Sequence, residues 1–202
     1  VGPDPLRSLA ATDHLRPLLR PLGVLLALVE VVDPCTQKLP RPGAVLHLAL
    51  RLLHPHLDPG GDVERILAAV EQMDASVEKI FLTHAHLDHC AASGILRRQL
   101  HVPIEGPHSE DEFWLQNLPE ACRRSGFPST DAFVPDRWLV QGDRVMVGEQ
   151  ELQVIHCPGH TPGHVVFFYA PQQVAWVGDV LFQGSIGRTD FPRGNHGALI
   201  RA

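Results

Sequence analysis

Aromatic residues and isoleucine are missing from the first part of the chain. Residues 1–57 contain no Phe, Tyr, Trp or Ile, and the first aromatic residue of the protein is Phe81. The same stretch contains eight prolines and carries a net charge of +2, whereas the rest of the chain carries −8. Two interpretations stay open for residues 1–56: a disordered extension, or a mis-framed gene start, since wrongly framed translations are often rich in Pro, Leu and Arg.

Long hydrophobic runs and closely spaced cysteines are also missing. The longest apolar run, residues 22–29, is followed by Glu30 and is far shorter than the roughly 20 residues that span a bilayer, so we predict no membrane segment. No small-residue cleavage pattern follows this run, so we predict no targeting signal. The four cysteines form no CxxC pair, which favours a reducing compartment, and we therefore predict a cytoplasmic protein.

Clusters of basic residues are rare as well. The net charge is −6, and the only basic doublets are at residues 97–98 and 123–124. Because nucleic-acid binding depends on clustered Lys and Arg, we do not expect a nucleic acid as partner. The sequence gives no indication of an oligomeric state.

A regular alternation of secondary-structure patterns begins at residue 57. With 202 residues and 44% hydrophobic content, the chain is typical of a globular protein. Up to about residue 126, short β-rich runs alternate with helical patterns, and after Trp138 the patterns become β-hairpins. We therefore predict a mixed α/β (α+β) protein with two sheets covered by helices, whose domain spans residues 57–202.

The segment LTHAHLDHC places four metal-capable side chains at the end of a predicted buried strand. His84 and His86 project to the same side of an extended chain, and Asp88 and His89 then come from the start of the following helix. Imidazole and carboxylate are ligands that Zn, Fe and Mn accept. Packing would explain one histidine here, but four polar groups at a buried strand end need partners, so we predict a metal site.

Two later segments supply further candidate ligands. HCPGHTPGH follows an apolar strand, and its prolines and glycines make a tight loop that can aim His160 inward. Asp179 directly follows the apolar strand VAWVG, where a carboxylate without a partner would be costly. Plain turn chemistry would explain the glycines but not three histidines. The alternative for Asp179 is a carboxylate that caps the following turn.

These motifs together resemble those of the metallo-β-lactamase superfamily, an αββα sandwich with a one- or two-metal site at the sheet edge. DPGGD, THAHLDH, EDEFWLQNLP, HCPGHTPGHVVFF and GSIGRTDFPRGNH are similar to the small bacterial glyoxalase II type, the hydroxyacylglutathione hydrolases, which cleave the thioester of S-D-lactoylglutathione. The resemblance covers residues 57–202. The family also has two strands before DPGGD and a further ligand histidine in a later GHGP-like segment, so we expect the domain to be incomplete at both ends.

The resemblance implies a role for each ligand candidate. It implies that the first metal is bound by His84, His86 and His160. It implies that the second metal is bound by Asp88 and His89. Asp179 would bridge the two ions, which the resemblance implies to be zinc, with iron or manganese as alternatives.

The chemistry implied by the resemblance is hydrolysis of a small-molecule glutathione thioester by a metal-activated water. Asp88 would also orient this water, and Arg188 is a weaker candidate for contact with the glutathione carboxylates. Cys90 and Cys157 flank ligands, but we interpret them as packing residues because small buried cysteines are common in cores.

Two other functions stay open. Persulfide dioxygenases of the same fold share the GRTDF segment but use a single iron with two histidines and an aspartate. A non-catalytic metal-binding fragment is the other alternative. The EDEFWLQ and PRGNH segments beside an intact HxHxDH favour the hydrolase.

Overall fold

The computed structural model describes residues 56–72 and 76–202. The sequence predicts a disordered or mis-framed segment at residues 1–56. Residues 1–55 lie outside the described part, and only the backbone of His56 belongs to it. None of the helices in the described ranges is both long and apolar enough to cross a membrane.

The first half of the described chain alternates short strands with helices. Its elements are β1 (His56–Leu57), α1 (Val63–Gln72), β2 (Ile80–Phe81), α2 (Leu87–Cys90), α3 (Ser93–Leu100), β3 (Ile104–Glu105), α4 (Glu112–Gln116) and α5 (Leu118–Ser125). The strands pair in parallel in the order β1-β2-β3. Parallel neighbours need long crossover connections, and the helices between these strands supply them.

The second half is dominated by hairpins, as the sequence predicts. Its elements are β4 (Arg144–Val147), β5 (Gln150–His156), β6 (Val165–Tyr169), β7 (Val174–Trp176), β8 (Leu181–Phe182), β9 (Ser185–Ile186) and α6 (His196–Arg201). The first four strands form an antiparallel sheet in sequence order, and β8 pairs with β9 in a separate ribbon. Hairpin pairing lets each strand join its neighbour in sequence.

The alternation of side chains along β2 organises the core. Ile80 and Leu82 face the helices, where they pack in one cluster with residues such as Leu96. Phe81 points the other way and packs on the second sheet, with its ring centroid 5.2 Å from that of Phe167. Successive strand residues point to opposite faces, so one short strand contributes to both layers. The mixed class of helices and strands predicted from the sequence is confirmed.

The two sheets meet at the ends of their strands, beside the predicted ligands. The N–H of Val165 at the start of β6 donates to the carbonyl of Thr83, two residues beyond β2, over 2.8 Å. The N–H of Cys157, just after β5, donates to the carbonyl of His164 over 2.8 Å. These backbone bonds bring the chain after β2 and the loop after β5 to one edge of the sandwich.

The DPGGD turn closes this edge from the side of β1. The N–H of Asp58 donates to the carbonyl of Phe81, and the carbonyl of Pro59 accepts from Ala92. Gly60 lies so close to α2 that an added Cβ would come within 1.6 Å of the carbonyl oxygen of Asp88. A side chain at this position would therefore push the turn away from the helix that carries Asp88 and His89.

We expect Gly60→Ala to lower the free energy of unfolding by about 1–3 kcal/mol, the usual cost of forcing extra atoms into a packed site. Gly61→Ala is the matched control, because a Cβ at Gly61 would meet nothing within 4 Å. Urea unfolding of both variants measures the difference. Equal midpoints for the two would show that the turn does not press on α2.

Candidate metal centre

Three buried histidines converge at the sheet edge. Potential ligand nitrogens of His84, His86 and His160 all lie within 4.8 Å of one another, and we call these residues the three-histidine group. Nδ1 of His86 lies 2.9 Å from Nε2 of His160. The segment after β2 carries the first two on one side of an extended chain, and the loop after β5 carries the third. The structure thus brings together residues that are 74 positions apart.

Hydrogen bonds fix the orientation of these rings. Nδ1 of His160 lies 2.7 Å from the carbonyl oxygen of Arg188, which can only accept, so Nδ1 carries the hydrogen and Nε2 presents a lone pair towards His86. Nδ1 of His84 lies 3.0 Å from Oγ1 of Thr83, while its Nε2 is buried without a hydrogen-bond partner. A buried polar atom without a partner costs about 1–3 kcal/mol, and a metal ion would supply the partner.

Asp179 contacts both the three-histidine group and His89. Its Oδ2 is 3.3 Å from Nε2 of His160, and its Oδ1 is 3.3 Å from Nε2 of His89. Asp88 approaches the same nitrogen of His89, with its Oδ2 at 3.7 Å, and its side chain is 64% exposed. Asp179 therefore connects His160 to His89, and we call Asp88 and His89 the outer pair. The ring of His89 also lies 4.0 Å from the ring of His84.

Two residues that the sequence analysis did not assign, one of them completely buried, hold this arrangement. Asp58 accepts from the N–H of Thr83 over 2.6 Å and from its hydroxyl, and its Oδ2 lies 3.1 Å from Nδ1 of His89. His164, which is completely buried, accepts the backbone N–H of Asp179 at Nε2 over 3.1 Å. A carboxylate behind a ligand histidine fixes the tautomer and orientation of the ring. The Asp that opens DPGGD, directly after a strand, was the available signal for Asp58.

Burial keeps the three-histidine group neutral. It lowers the pKa of His86 to about 3 and holds the pKa of His84 well below its usual range. Burial lowers the pKa of His160 as well, although its hydrogen bond to Arg188 opposes the shift. Neutral imidazole is the form that binds a metal, so these nitrogens are ready to do so near neutral pH.

His89 is the exception. Burial would lower its pKa, but hydrogen bonds with Asp179 and Asp58 outweigh it and raise the pKa to about 10. Burial would raise the pKa of Asp179, but the hydrogen bond with His89 and the electrostatic effects of the surrounding histidines together lower it. The carboxylates of Asp58 and Asp179 thus stabilise the positive charge of the protonated His89, which contacts both. A cation that took the place of the proton would be stabilised by the same carboxylates, so these residues fit a metal ion.

A cavity of about 260 Å³ opens onto these groups. Its polar wall includes the ligand candidates His86, Asp88, His160 and Asp179. Its apolar wall is formed by Trp114, Leu118, Ala121 and Phe191 among others. The rings of Trp114 and Phe191 each lie 4.6 Å from the ring of His86. The sequence analysis did not single out these two aromatic residues, although both lie in motifs it used.

The remaining candidates have structural surroundings of their own. Arg188 lines the cavity, but its guanidinium forms two 2.7 Å hydrogen bonds with the carboxylate of Asp190 and lies 4.4 Å from the centroid of the Phe191 ring. Cys90 and Cys157 are buried, and Sγ of Cys90 donates to the carbonyl of Ala85 over 3.6 Å. These surroundings agree with the interpretation of both cysteines as packing residues.

A sequence profile of the metallo-beta-lactamase superfamily matches residues 57–202. The chain belongs to this superfamily. Hydroxyacylglutathione hydrolase GloC of Haemophilus influenzae is 46% identical over 145 residues, which cover 71% of this chain and 68% of that protein. The predicted resemblance to the superfamily and to the hydroxyacylglutathione hydrolases is confirmed, and with it the expectation that this superfamily member is a hydrolase.

Solved structures of metallo-beta-lactamase-like proteins share the fold. TTHA1623 in a di-iron-bound form is 35% identical with a TM-score of 0.65, and the match covers 72% of this chain and 71% of that one. BLEG-1, described as a B3 metallo-beta-lactamase, is 37% identical with a TM-score of 0.64, over 71% and 69% of the two chains. The superfamily and the donor groups together indicate metal ions, while the identity of the metal is a separate question.

We expect His86→Ala to lower the metal content of the purified chain by about one ion, because a three-histidine group that loses a member keeps too few ligands to retain a metal through dialysis. His196→Ala is the control, since His196 is exposed at the start of α6. Plasma emission spectrometry after dialysis measures both. Unchanged metal content in the His86 variant would contradict a role for this histidine as a ligand.

Proposed function

We propose that this superfamily member is a metal-dependent hydrolase of glutathione thioesters such as S-D-lactoylglutathione. Two metal ions would be held as follows: the first by His84, His86 and His160, the second by Asp88 and His89, with Asp179 shared. The observation that carries the proposal is the position of Asp179, whose Oδ2 lies 3.3 Å from Nε2 of His160 and whose Oδ1 lies 3.3 Å from Nε2 of His89. The names of similar proteins support the choice of substrate class.

The proposed site would derive its reactivity from bound divalent ions, which lower the pKa of water and stabilise negative charge that develops on a carbonyl oxygen. The residues of the chain supply the geometry. Neutral imidazoles of the three-histidine group offer lone pairs without first losing a proton. Asp88 is exposed beside the outer histidine, so its carboxylate can orient a water molecule and accept its proton.

The cavity suggests how a thioester would enter. At about 260 Å³ it is smaller than the roughly 300–1,000 Å³ of ordinary ligand pockets, so it suits the acyl end and the sulfur, not a whole glutathione conjugate. The apolar wall around Trp114 and Phe191 would exclude water from one side of the acyl group. The peptide part would then lie outside, towards Arg188, which we keep as a weaker candidate for contact with its carboxylates.

The metal is proposed to be zinc, and iron or manganese would suit the same donors. Histidine nitrogens with carboxylates are accepted by all three ions, and the similar TTHA1623 is described in a di-iron-bound form. We further propose a cytoplasmic protein with a small-molecule substrate and without a nucleic-acid partner.

The direct test is an assay of the full chain loaded separately with zinc, iron and manganese. We expect release of free glutathione from S-D-lactoylglutathione, followed with a thiol reagent, and no oxygen consumption with glutathione persulfide. Oxygen uptake by a chain with one iron would instead favour a persulfide dioxygenase. A metal-loaded chain without either activity would favour a non-catalytic metal-binding fragment.

We expect Asp179→Asn to lower both the retention of a second metal and the rate of thioester cleavage. Loss of a partner outside the metal sphere already costs about 10–100-fold in affinity or activity, and loss of a shared carboxylate should cost at least as much. Asp131→Asn is the matched control, since Asp131 is exposed, pairs with Arg98 at 3.8 Å and does not line the cavity. Full turnover with two metals in the Asp179 variant would show that this residue is not the bridge.

A further inference from the structure

Asp111 is a completely buried carboxylate that does not face the cavity. Its exposed fraction is 0%, and it lies at the end of a short 3-10 turn, Ser109–Asp111, directly before α4. Burial raises its pKa to about 6, although hydrogen bonds from Thr161, Gly163 and Ala85 act in the opposite direction. Aspartate is rarely fully buried unless it has partners, so its contacts indicate what it does.

The three hydrogen bonds of Asp111 go to two different segments. Oδ2 accepts from the backbone N–H of Ala85 over 3.0 Å and from the hydroxyl of Thr161 over 2.8 Å. Oδ1 accepts from the backbone N–H of Gly163 over 2.6 Å. Ala85 lies between His84 and His86. One carboxylate therefore binds the two segments that together supply the three-histidine group.

Close packing supports the same connection. The N–H of His108 donates to the carbonyl of Gly163 over 3.0 Å, so the segment before α4 is joined to the loop by backbone as well. A Cβ added to Gly163 would lie 2.7 Å from Cγ of Asp111 and 2.6 Å from the carbonyl oxygen of His108. The loop can approach Asp111 this closely only because a glycine stands there.

A carboxylate has a specific advantage at this position. Two of its partners are backbone N–H groups and the third is a hydroxyl, so the site needs an acceptor on each oxygen. Asparagine offers only one acceptor oxygen, and whichever way its amide is turned, an N–H group faces a donor. Hydrogen bonds to an ionised acceptor are also about twice as strong as neutral ones.

We propose that Asp111 is a positioning residue of the metal centre, which sets the distance between His160 and the pair His84 and His86. The proposal rests on the three-histidine group as a metal site and is independent of the substrate. By holding both segments, Asp111 organises the ligands in advance. Ligand groups that are already in place bind an ion without further ordering of the two loops.

The same residue connects the ligands to the substrate wall. Trp114 lies three positions after Asp111, in α4, and its ring packs edge-on against His86 at 4.6 Å. The turn that begins α4 therefore fixes the metal-binding loops through Asp111 and the cavity wall through Trp114. A change at Asp111 is expected to alter the ligand field of the first metal, beyond any effect on overall stability.

The test compares four variants of the full chain: Asp111→Asn, Thr161→Val, Thr161→Ser and Thr130→Val. Thr161→Val removes one hydrogen bond to Asp111, and Thr161→Ser keeps the hydroxyl. Thr130→Val is the matched control, because Thr130 is also buried, and its hydroxyl donates over 3.0 Å to Ala91, outside the two ligand-bearing segments. Each is measured for Co²⁺ affinity by competition with a chromophoric chelator, for the visible absorption of bound Co²⁺, and for thermal unfolding.

We expect Asp111→Asn to weaken Co²⁺ binding by about 10–100-fold and to change the visible Co²⁺ spectrum, the usual effect of losing a partner behind metal ligands. Thr161→Val should show a smaller change in the same direction, and Thr161→Ser should restore the wild-type values. Thr130→Val should lower only the unfolding temperature.

The proposal is overturned if Thr161→Val leaves both Co²⁺ affinity and spectrum at wild-type values, an outcome that remains decisive even when Asp111→Asn fails to fold. It is also overturned if Thr130→Val weakens Co²⁺ binding as much as Thr161→Val does. A wild-type chain that binds Co²⁺ but cleaves no thioester would contradict the proposed substrate and leave this proposal in place. A wild-type chain that binds no Co²⁺ would overturn both.

Discussion

The packing of the two sheets along Phe81 is the constraint on which the site depends. Phe81 is completely buried against Phe167 of the second sheet, and the backbone bond from Val165 to Thr83 lies two residues further on. With the sheets fixed at this point, the chain after β2 and the loop after β5 cannot move apart independently. The core therefore brings the segments of His86 and His160 to the same edge, where the hydrogen bonds around the ligands can act on both of them.

This packing places the polar groups of the metal centre in a buried region with little water, where unpaired polar atoms and charges are costly. Five nitrogen and oxygen donors of the three-histidine group and Asp179 share a space in which burial disfavours charge. The histidines respond by staying neutral. Asp179 keeps its charge because His89 supplies a positive partner. A divalent ion would neutralise the carboxylate of Asp179 and give the unpaired Nε2 of His84 a partner. The cluster therefore has the donor groups that a metal centre needs.

The sequence predicted the parts of this arrangement that depend on local chemistry. HxHxDH at a strand end, His160 in a Pro- and Gly-rich loop and Asp179 after an apolar strand were all found from type and spacing, and the structure places them together. Hairpins and alternating helices were predicted for the same reason, since periodicity is local. The roles of the individual ligands stay predictions.

Long-range partners could not be predicted in this way. Asp58 and Asp111 appear in the sequence analysis only within the motifs DPGGD and EDEFWLQNLP, with no role of their own. Their partners lie 25 to 52 positions away along the chain. Which backbone N–H groups face a carboxylate depends on how sheets and loops pack. Residue type and local spacing do not determine that packing. The positions of Trp114 and Phe191 in the cavity wall could not be predicted for the same reason, because the wall forms only when distant segments pack together.

Asp58 and Asp111 bind the backbone immediately before and immediately after His84. Asp58 binds the backbone and hydroxyl of Thr83, and Asp111 binds the backbone of Ala85, so the residue between them, His84, has a carboxylate-bound neighbour on each side. His84 is therefore held by backbone that is hydrogen-bonded to a carboxylate immediately before it and immediately after it. A strand end fixed in this way does not need to reorganise when a metal binds.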